Sequence, residues 1–409
     1  MPNIRGKTAL AASLRMDPTR KHMVVAPYGG RLVDGEMHGP EAERRISDIG
    51  ELPLLRPSVD HIYDTEKIAI GAYSPLEGFQ CQADFERARD SMELPDGNPW
   101  SMPIFLAPGG KDNETIVAAA SPSDELAIAD LHGRPFALLS LEEKFAFDPK
   151  EYAEKVYRTT DVAHPNVGDL KEFGRTALAG KVRMLRRLDL PSARFELSPR
   201  ETRAKFEERG WKGVAGYQAR NPPHTAHEYL QRLTIEREDV DGILIHPVVG
   251  KLKKGDYKPE VIMRAYEAFV AHYYRPERAI LASFSITMRY AGPRAALFYA
   301  IVRRNYGCSH YIVGRDQAGV GTYYDPFDCH RIFDGRDIGV IPLRYQETFH
   351  CTRCGGMVST KVCPHPKEAR LSTSQTKIRQ LLTERKPLPP EILRPEVAEV
   401  LMDGDVIND

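Results

Sequence analysis

The chain of 409 residues is long enough for two or three domains, and its 42% hydrophobic and 28% charged content is ordinary for a soluble globular protein. Lys plus Arg and Asp plus Glu both number 57, so no overall charge favours nucleic acid or an anionic membrane, and any anion must be held by a local cluster. The basic first residues lack a continuous apolar core, and no apolar run reaches membrane-spanning length. We therefore expect a cytoplasmic protein with no membrane partner.

Residues 1–195 predict a β-rich N-terminal domain, because short apolar strings alternate with Pro and Gly turns. A helical stretch interrupts them at 151–158. No basic stripe with interleaved aromatic residues stands out, so no nucleic-acid partner is expected. Five strings are predicted as strands, namely MVVAP at 23–27, KIAIGAY at 67–73, MPIFLAP at 102–108, ETIVAAA at 114–120 and FALLSL at 136–141.

From Ser198 the pattern changes to alternating helices and strands, which predicts a parallel sheet with ligands at the carboxyl ends of its strands. Ser198, Pro199 and Glu201 form a capping-box start for the first helix. The layout is Rossmann-like without a GxGxxG loop, so NAD is not expected. After a strand ending at Gln218 come a helix to about 237, strands at 242–246, 279–284, 311–314 and 338–343, and helices at 259–274 and 293–306.

Beyond Arg344 we predict a small C-terminal domain with a cysteine cluster and helices at 374–384 and 395–403. The chain is thus divided into three predicted domains, 1–195, 196–345 and 346–409.

The junction after the strand ending at Gln218 concentrates polar residues that suit a polyanion. Gln218, Arg220 and Asn221 precede a Pro-Pro pair that can begin a helix, and His224 and His227 lie three apart on its first turn. Free N–H groups and the positive end of the helix dipole would point the same way. Each residue alone is more often a surface or core residue, but together they predict a socket for a nucleoside triphosphate.

Two further strand ends carry candidate groups. After 242–246 the chain leads to Lys251, Lys253 and Lys254, for which a solvated loop remains the simpler interpretation. After 311–314 the run Gly-Arg-Asp-Gln-Ala-Gly at 314–319 combines a close backbone approach, a guanidinium fork for an oxyanion and a carboxylate for ribose hydroxyls.

The string Gln-x-Arg-Asn-Pro-x-His-x-x-His at 218–227 resembles the nucleotide-binding signature of the sulfate adenylyltransferase (ATP sulfurylase) family. The segments at 71–79, 246–256, 288–293, 314–321 and 372–379 resemble other motifs of that family in the same order. The resemblance implies a PUA-like β-barrel N-terminal domain and a central Rossmann-like nucleotidyltransferase domain in an α/β protein. It also implies attack of sulfate on the α-phosphorus of MgATP, giving adenylyl sulfate (APS) and pyrophosphate, in a homodimer or larger assembly.

The resemblance also implies residue roles. It assigns Arg220, Asn221, His224 and His227 to catalysis. Gln218 and the loop at 314–319 complete the nucleotide site. Ala219 and Gln317 depart from residues frequent in the family, Thr and His respectively, without removing a cation. The implied sulfate ligands are Gln218, Arg220, Arg315 and Ala318, and the implied nucleotide ligands are Gln218, Asn221, His224, His227, Gly314, Arg315, Asp316, Gln317 and Gln346.

The cysteine cluster predicts a structural zinc site. Cys351, Cys354 and Cys363 with His365 have the composition of a zinc knuckle, and two glycines follow the CxxC turn. Reduced structural thiols are the alternative. Some bacterial members of the family bind zinc here with a histidine slightly further along, so His350 remains open as a substitute for His365.

Two other functions stay open at this stage. One is an adenylyltransferase acting on a different acceptor, although such enzymes lack the Gln-x-Arg-Asn and Gly-Arg-Asp-x-Ala strings. The other is a non-catalytic zinc protein that binds RNA through a PUA-like domain, for which salt-sensitive RNA affinity would be diagnostic.

Overall fold

The computed structural model describes residues 24–251, 255–371, 375–384 and 386–408. Its N-terminal part contains a six-stranded sheet in which only the pairing of β1 with β4 is parallel, and β6 pairs with three neighbours. The strands are β1 Leu54–Leu55, β2 Gly78–Phe79, β3 Leu106–Pro108, β4 Glu125–Ala129, β5 Pro135–Ala146 and β6 Phe173–Met184. The helices are α1 Gly39–Asp48, α2 Val59–Ala69, α3 Gln82–Asp90, α4 Lys111–Ala119, α5 Pro149–Tyr152, which continues as a π-turn over Ala153–Tyr157, and α6 Pro165–Asp169.

Three of the five strings predicted as N-terminal strands form no strand in the described residues. Only the first three residues of the string at 67–73 lie in helix α2, and the others form a turn. The string at 114–120 lies largely in helix α4, and the described part of 23–27 is irregular. Most residues of α2 are buried, so its apolar residues do not alternate with polar ones at the helical period. The string at 136–141 lies in β5, part of 102–108 forms β3, and the helical stretch at 151–158 is confirmed.

The second part is an all-parallel five-stranded sheet in the order β11-β10-β7-β8-β9, as the alternating pattern predicts. The capping box at Ser198 and Glu201 is present. The predicted ends differ from the observed ones by at most three residues. The strands are β7 Val214–Tyr217, β8 Gly242–Ile245, β9 Ala279–Leu281, β10 His310–Val313 and β11 Ile341–Arg344, and the helices are α7 Pro199–Glu208, α8 Thr225–Ile235, α9 Pro259–Tyr273, α10 Pro293–Asn305 and α11 Asp328–Arg331.

A three-stranded antiparallel sheet follows, built from β12 Thr348–Cys351, β13 Gly356–Ser359 and β14 Arg370–Leu371. The last helices, α12 Gln375–Thr383 and α13 Pro395–Met402, bury Ile378 and Leu401 in the same hydrophobic cluster as Phe269 of α9. The domain boundaries at 195 and 345 stay predictions. No helix in the described ranges is long and apolar enough to cross a membrane.

A buried ionic triad joins the two larger parts. Lys67 of α2 is fully buried, and its Nζ lies 2.6 Å from Glu66 and 2.7 Å from Glu196 of the connecting segment. Glu66 also accepts from the N–H of Leu188, and Glu196 accepts from the hydroxyl of Ser283. Because both carboxylates have several donors, the triad is a satisfied network that fixes α2 against the parallel sheet.

We expect Lys67→Met to lower the free energy of unfolding by about 3–5 kcal/mol, because two buried carboxylates lose their cation. Arg31→Ala is the control, since the Arg31–Glu77 pair is largely exposed and such pairs contribute about 0–1 kcal/mol. Chemical denaturation of both variants checks the difference. Equal stability of the two variants would show that the triad does not join the two parts.

Candidate active site

The predicted socket forms where β7 ends and α8 begins. Gln218 is buried and Arg220 and Asn221 are half-buried in the turn, while His224 is the residue immediately before the helix. The helix starts at Thr225, two residues after the prolines. The N–H of Thr225, the first residue of the helix, donates to the carbonyl of Ile392 and is therefore not free for a ligand.

The two histidines stack on each other. The ring centroids of His224 and His227 are 3.6 Å apart with an interplanar angle of 23°, and the Nδ1 atom of each is buried without a hydrogen-bond partner. Burial lowers the pKa of His224 to about 4, and burial together with the neighbouring His224 holds the pKa of His227 well below its ordinary value. Both rings are therefore neutral near pH 7. They can act as hydrogen-bond donors towards an oxyanion rather than as fixed cations.

Arg220 has two neighbours that the sequence did not single out. Its Nη1 lies 3.5 Å from Asp256, and its guanidinium lies 5.1 Å from the centroid of the Tyr290 ring. Arg379 of α12 donates to Asn221 at 3.1 Å and lies 3.9 Å from the same Asp256. Two arginines and Asn221 thus converge around one carboxylate. The motif at 372–379 could have indicated Arg379 as a site residue. Residues 372–374 of that motif lie outside the described residues.

The Gly-Arg-Asp loop leaves the neighbouring strand β10. Asp316 and Ala318 adopt left-handed backbone conformations, with φ of 56° and 59°. A Cβ at Gly319 would lie 2.0 Å from the Asp316 carboxylate, which explains the glycine at that position. The carbonyl of Ala318 accepts from the N–H of Gly292, so this loop is tied to the loop before α10. The sheet therefore brings two of the predicted loops together.

The other predicted nucleotide ligands lie along this edge of the sheet. Arg315 is exposed, with its Nη1 3.8 Å from Glu347, and Gln317 donates to the Tyr311 hydroxyl at 3.2 Å. Gly314 directly follows β10 and precedes the turn at 315–318, and Gln346 is exposed between β11 and β12.

Gln218 has a partner from a distant part of the chain. Its Oε1 accepts from Nη2 of the buried Arg303 at 2.6 Å, and its Nε2 faces the Met288 sulfur at 3.8 Å. Sequence reasoning missed Arg303, because it looks like an ordinary basic residue near the end of helix α10.

Lys251 of the predicted lysine loop forms ion pairs within the protein instead of pointing into solvent. Lys251 lies 3.1 Å from Asp60 and 3.0 Å from Asp169, both in the N-terminal part. Lys253 and Lys254 lie outside the described residues.

The cysteine cluster could hold a metal ion. Nδ1 of His365 lies 3.4 Å, 3.2 Å and 3.7 Å from the sulfurs of Cys351, Cys354 and Cys363, and the latter two sulfurs are 3.8 Å apart. Tetrahedral bonds of ~2.3 Å place neighbouring thiolate ligands ~3.8 Å apart, so the donor set fits one small tetrahedral ion. Its four members are Cys351, Cys354, Cys363 and His365, while His350 lies outside the group.

The histidine pair should make stability depend on pH. Between pH 6.5 and about 4 the unfolded chain binds a proton at His224 that the folded chain excludes, so stability is lost as the pH falls. For His224 alone we expect about 2 kcal/mol of loss from pH 6.5 to 4.5, since each pKa unit corresponds to about 1.4 kcal/mol.

Denaturation of the wild type and His224→Gln at both pH values measures this loss as the difference in their slopes. His132→Gln, which changes an exposed histidine, should keep the wild-type slope. Parallel slopes for wild type and His224→Gln would show that His224 keeps an ordinary pKa.

Two family models and several curated proteins match this chain. A family model described as ATP-sulfurylase matches residues 193–404, and one described as a PUA-like domain matches residues 25–187. The sulfate adenylyltransferase of Symbiobacterium thermophilum is 45% identical over 93% of this chain and 96% of its own length. That of Hyperthermus butylicus is 42% identical over the same shares.

A solved structure is similar over the same extent. The structure described as the hexameric APS kinase from Thiobacillus denitrificans superposes with a TM-score of 0.73 at 26% identity, over 93% of this chain and 68% of that chain. The two domain matches confirm the PUA-like N-terminal domain and the nucleotide-binding fold. The motifs, the parallel sheet and the identity to full-length relatives lead to one conclusion: the chain belongs to the ATP-sulfurylase family.

Proposed function

We propose that this protein is a sulfate adenylyltransferase, which converts ATP and sulfate into APS and pyrophosphate. Relatives with that name match this chain over nearly their whole length. The observation that carries the proposal is the convergence of Gln218, Arg220 and two stacked neutral histidines at one strand-to-helix junction. That arrangement offers donors to one small oxyanion and to a polyphosphate beside it.

The reaction must bring two anions together. Two like charges 4 Å apart repel by about 4 kcal/mol at an effective dielectric near 20, and ATP and sulfate each carry several. Fixed donors lower this barrier before the chemistry begins. We assign sulfate binding to Gln218, Arg220, Arg315 and the N–H of Ala318, with Arg220 also reaching the α-phosphate. Sulfate is itself the nucleophile, so no covalent protein intermediate is required.

The nucleotide contacts follow from the same edge of the sheet. Asn221 would meet the phosphates, with its orientation set by the hydrogen bond from Arg379. His224 and His227 would donate to the phosphates and stabilise the departing pyrophosphate. Gly314, Asp316, Gln317 and Gln346 would frame ribose and adenine. MgATP is the substrate form, since Mg²⁺ neutralises part of the triphosphate charge.

We assign zinc to the Cys351, Cys354, Cys363 and His365 cluster as a structural ion. With four protein ligands it would be closed to substrate and would stabilise the fold around β12 and β13. We also propose the three-part division at 195 and 345, and a homodimer or larger assembly. The similar solved structure described as hexameric supports assembly into oligomers.

Arg220→Lys should lower kcat/KM for the oxyanion acceptor by about 10²–10³, because an ammonium cannot replace a bidentate donor to the developing charge. Pyrophosphate release with MgATP and molybdate, a sulfate mimic whose adduct hydrolyses, measures this directly. Arg237→Lys is the control, because Arg237 lies beyond the end of helix α8 in an exposed ion pair with Asp239. Near-wild-type turnover of Arg220→Lys would remove Arg220 from the site.

If the wild type releases pyrophosphate only with another acceptor, the proposed substrate is wrong and the adenylyl transfer remains. Release without any oxyanion acceptor would indicate simple ATP hydrolysis.

Cys354→Ser should abolish binding of one zinc ion per chain and lower the melting temperature, because a closed metal site contributes folding free energy. Metal analysis of the purified protein with thermal melts measures both. Cys81→Ser, which changes a thiol outside the cluster, should retain zinc. A wild-type protein purified without zinc, or a full equivalent in Cys354→Ser, would contradict the assignment.

A further inference from the structure

Arg303 of α10 is a fully buried cation with few partners. Its Nη2 donates to Gln218 at 2.6 Å and lies 3.5 Å from the carbonyl of His246, while its Nε and Nη1 have no hydrogen-bond partner. No carboxylate in the described ranges lies within ion-pair distance of it. Burying a charge without a counterion costs free energy of folding. Because this cation lies beneath a proposed anion site, we expect it to have a role in anion binding.

The surroundings accommodate this guanidinium specifically. Its carbon lies 4.4 Å from the centroid of the Phe284 ring and 5.9 Å from that of Tyr299, so aromatic faces replace a carboxylate. In β7, a Cβ at Gly216 would lie 2.8 Å from Cγ of Arg303. Strand β7 therefore leaves room for the arginine two residues before Gln218.

Arg303 also decides how the Gln218 amide points. A guanidinium has donors only, so the atom facing it must be the amide oxygen. The amide nitrogen is then turned the other way, where its neighbour is the weakly accepting Met288 sulfur. Without Arg303, the amide could rotate and present its oxygen to an incoming oxyanion, which would repel it.

We infer that Arg303 is a positioning residue for oxyanion recognition: it holds Gln218 with its N–H groups towards the anion and adds a buried positive charge beneath the pocket. The inference rests on the proposed function, which places sulfate at Gln218. A buried charge acts more strongly on a dianion than on a monoanion, so Arg303 should also favour doubly charged ligands.

Arg303→Met is the test variant and Arg294→Met is the matched control. Arg294 lies on the same helix and is also buried, but its guanidinium donates to main-chain carbonyls of Ser101, Arg89, Lys155 and Ala88. Both variants should lose thermal stability. Only Arg303→Met should raise the sulfate KM, by about tenfold to a hundredfold, with kcat and the ATP KM changed less than about threefold.

Inhibition by oxyanions separates charge from packing. Thiosulfate is a dianion and perchlorate a monoanion, and the ratio of their inhibition constants should change at least about fivefold in Arg303→Met but not in Arg294→Met. Gln218→Met supplies a double-mutant cycle. If Arg303 acts through the amide, its replacement should cost much less in the Gln218→Met background than in the wild type.

The inference is overturned if Arg303→Met leaves the sulfate KM within twofold of wild type, or raises both KM values equally. If that variant does not fold, Arg303→Lys decides by the same criterion, because it keeps the charge but loses the planar fork. If the wild type shows no sulfate-dependent release of pyrophosphate, the proposed function is wrong, whatever the result for Arg303. The role of Arg303 is then tested without turnover, by comparing how much sulfate raises the melting temperature of the wild type and of each variant. Equal increases would overturn the inference.

Discussion

The arrangement of positive charge at the carboxyl edge of the parallel sheet is the constraint on which the rest depends. Arg220 and Arg379 share the carboxylate of Asp256, whereas Arg303 has aromatic rings and one amide around it. Cations that are only partly neutralised can attract an anion, because the incoming ligand then supplies the missing counterion. Two anionic substrates can meet only where such charges are already in place.

The histidine pair contributes differently from these arginines. Its rings are stacked and buried, and two adjacent imidazolium ions would repel each other in that position. A neutral ring still donates one hydrogen bond and can gain a proton when a phosphate oxygen approaches. The pair thus suits charge that develops during the reaction, while the arginines suit charge that is present from the beginning.

The N-terminal part supports the site from beneath. Nη2 of the buried Arg289, next to Tyr290, donates to both carboxylate oxygens of Asp64, and His164 and Asn166 bond the main chain of Met288 and Tyr290. These contacts fix the loop whose aromatic ring lies under Arg220. The PUA-like domain therefore acts, in this chain, as a rigid support for the loops around the proposed active site.

The sequence by itself determined the parallel sheet and the local motifs. Alternating amphipathic helices and apolar strands are recognisable within short windows, and Gln218 to His227 span a single strand-to-helix junction. The cluster of three cysteines and a histidine was predictable for the same reason, since all four donors lie within fifteen residues of one another.

Only the tertiary structure decided the remaining features. Helix α2 was misjudged because it is buried on nearly all sides and therefore lacks a polar face. The contacts of Asp256 with Arg220 and of Arg303 with Gln218 join residues far apart along the chain, so no local pattern could reveal them. The neutral state of the histidines likewise follows from burial, which exists only once the parts of the chain have packed together.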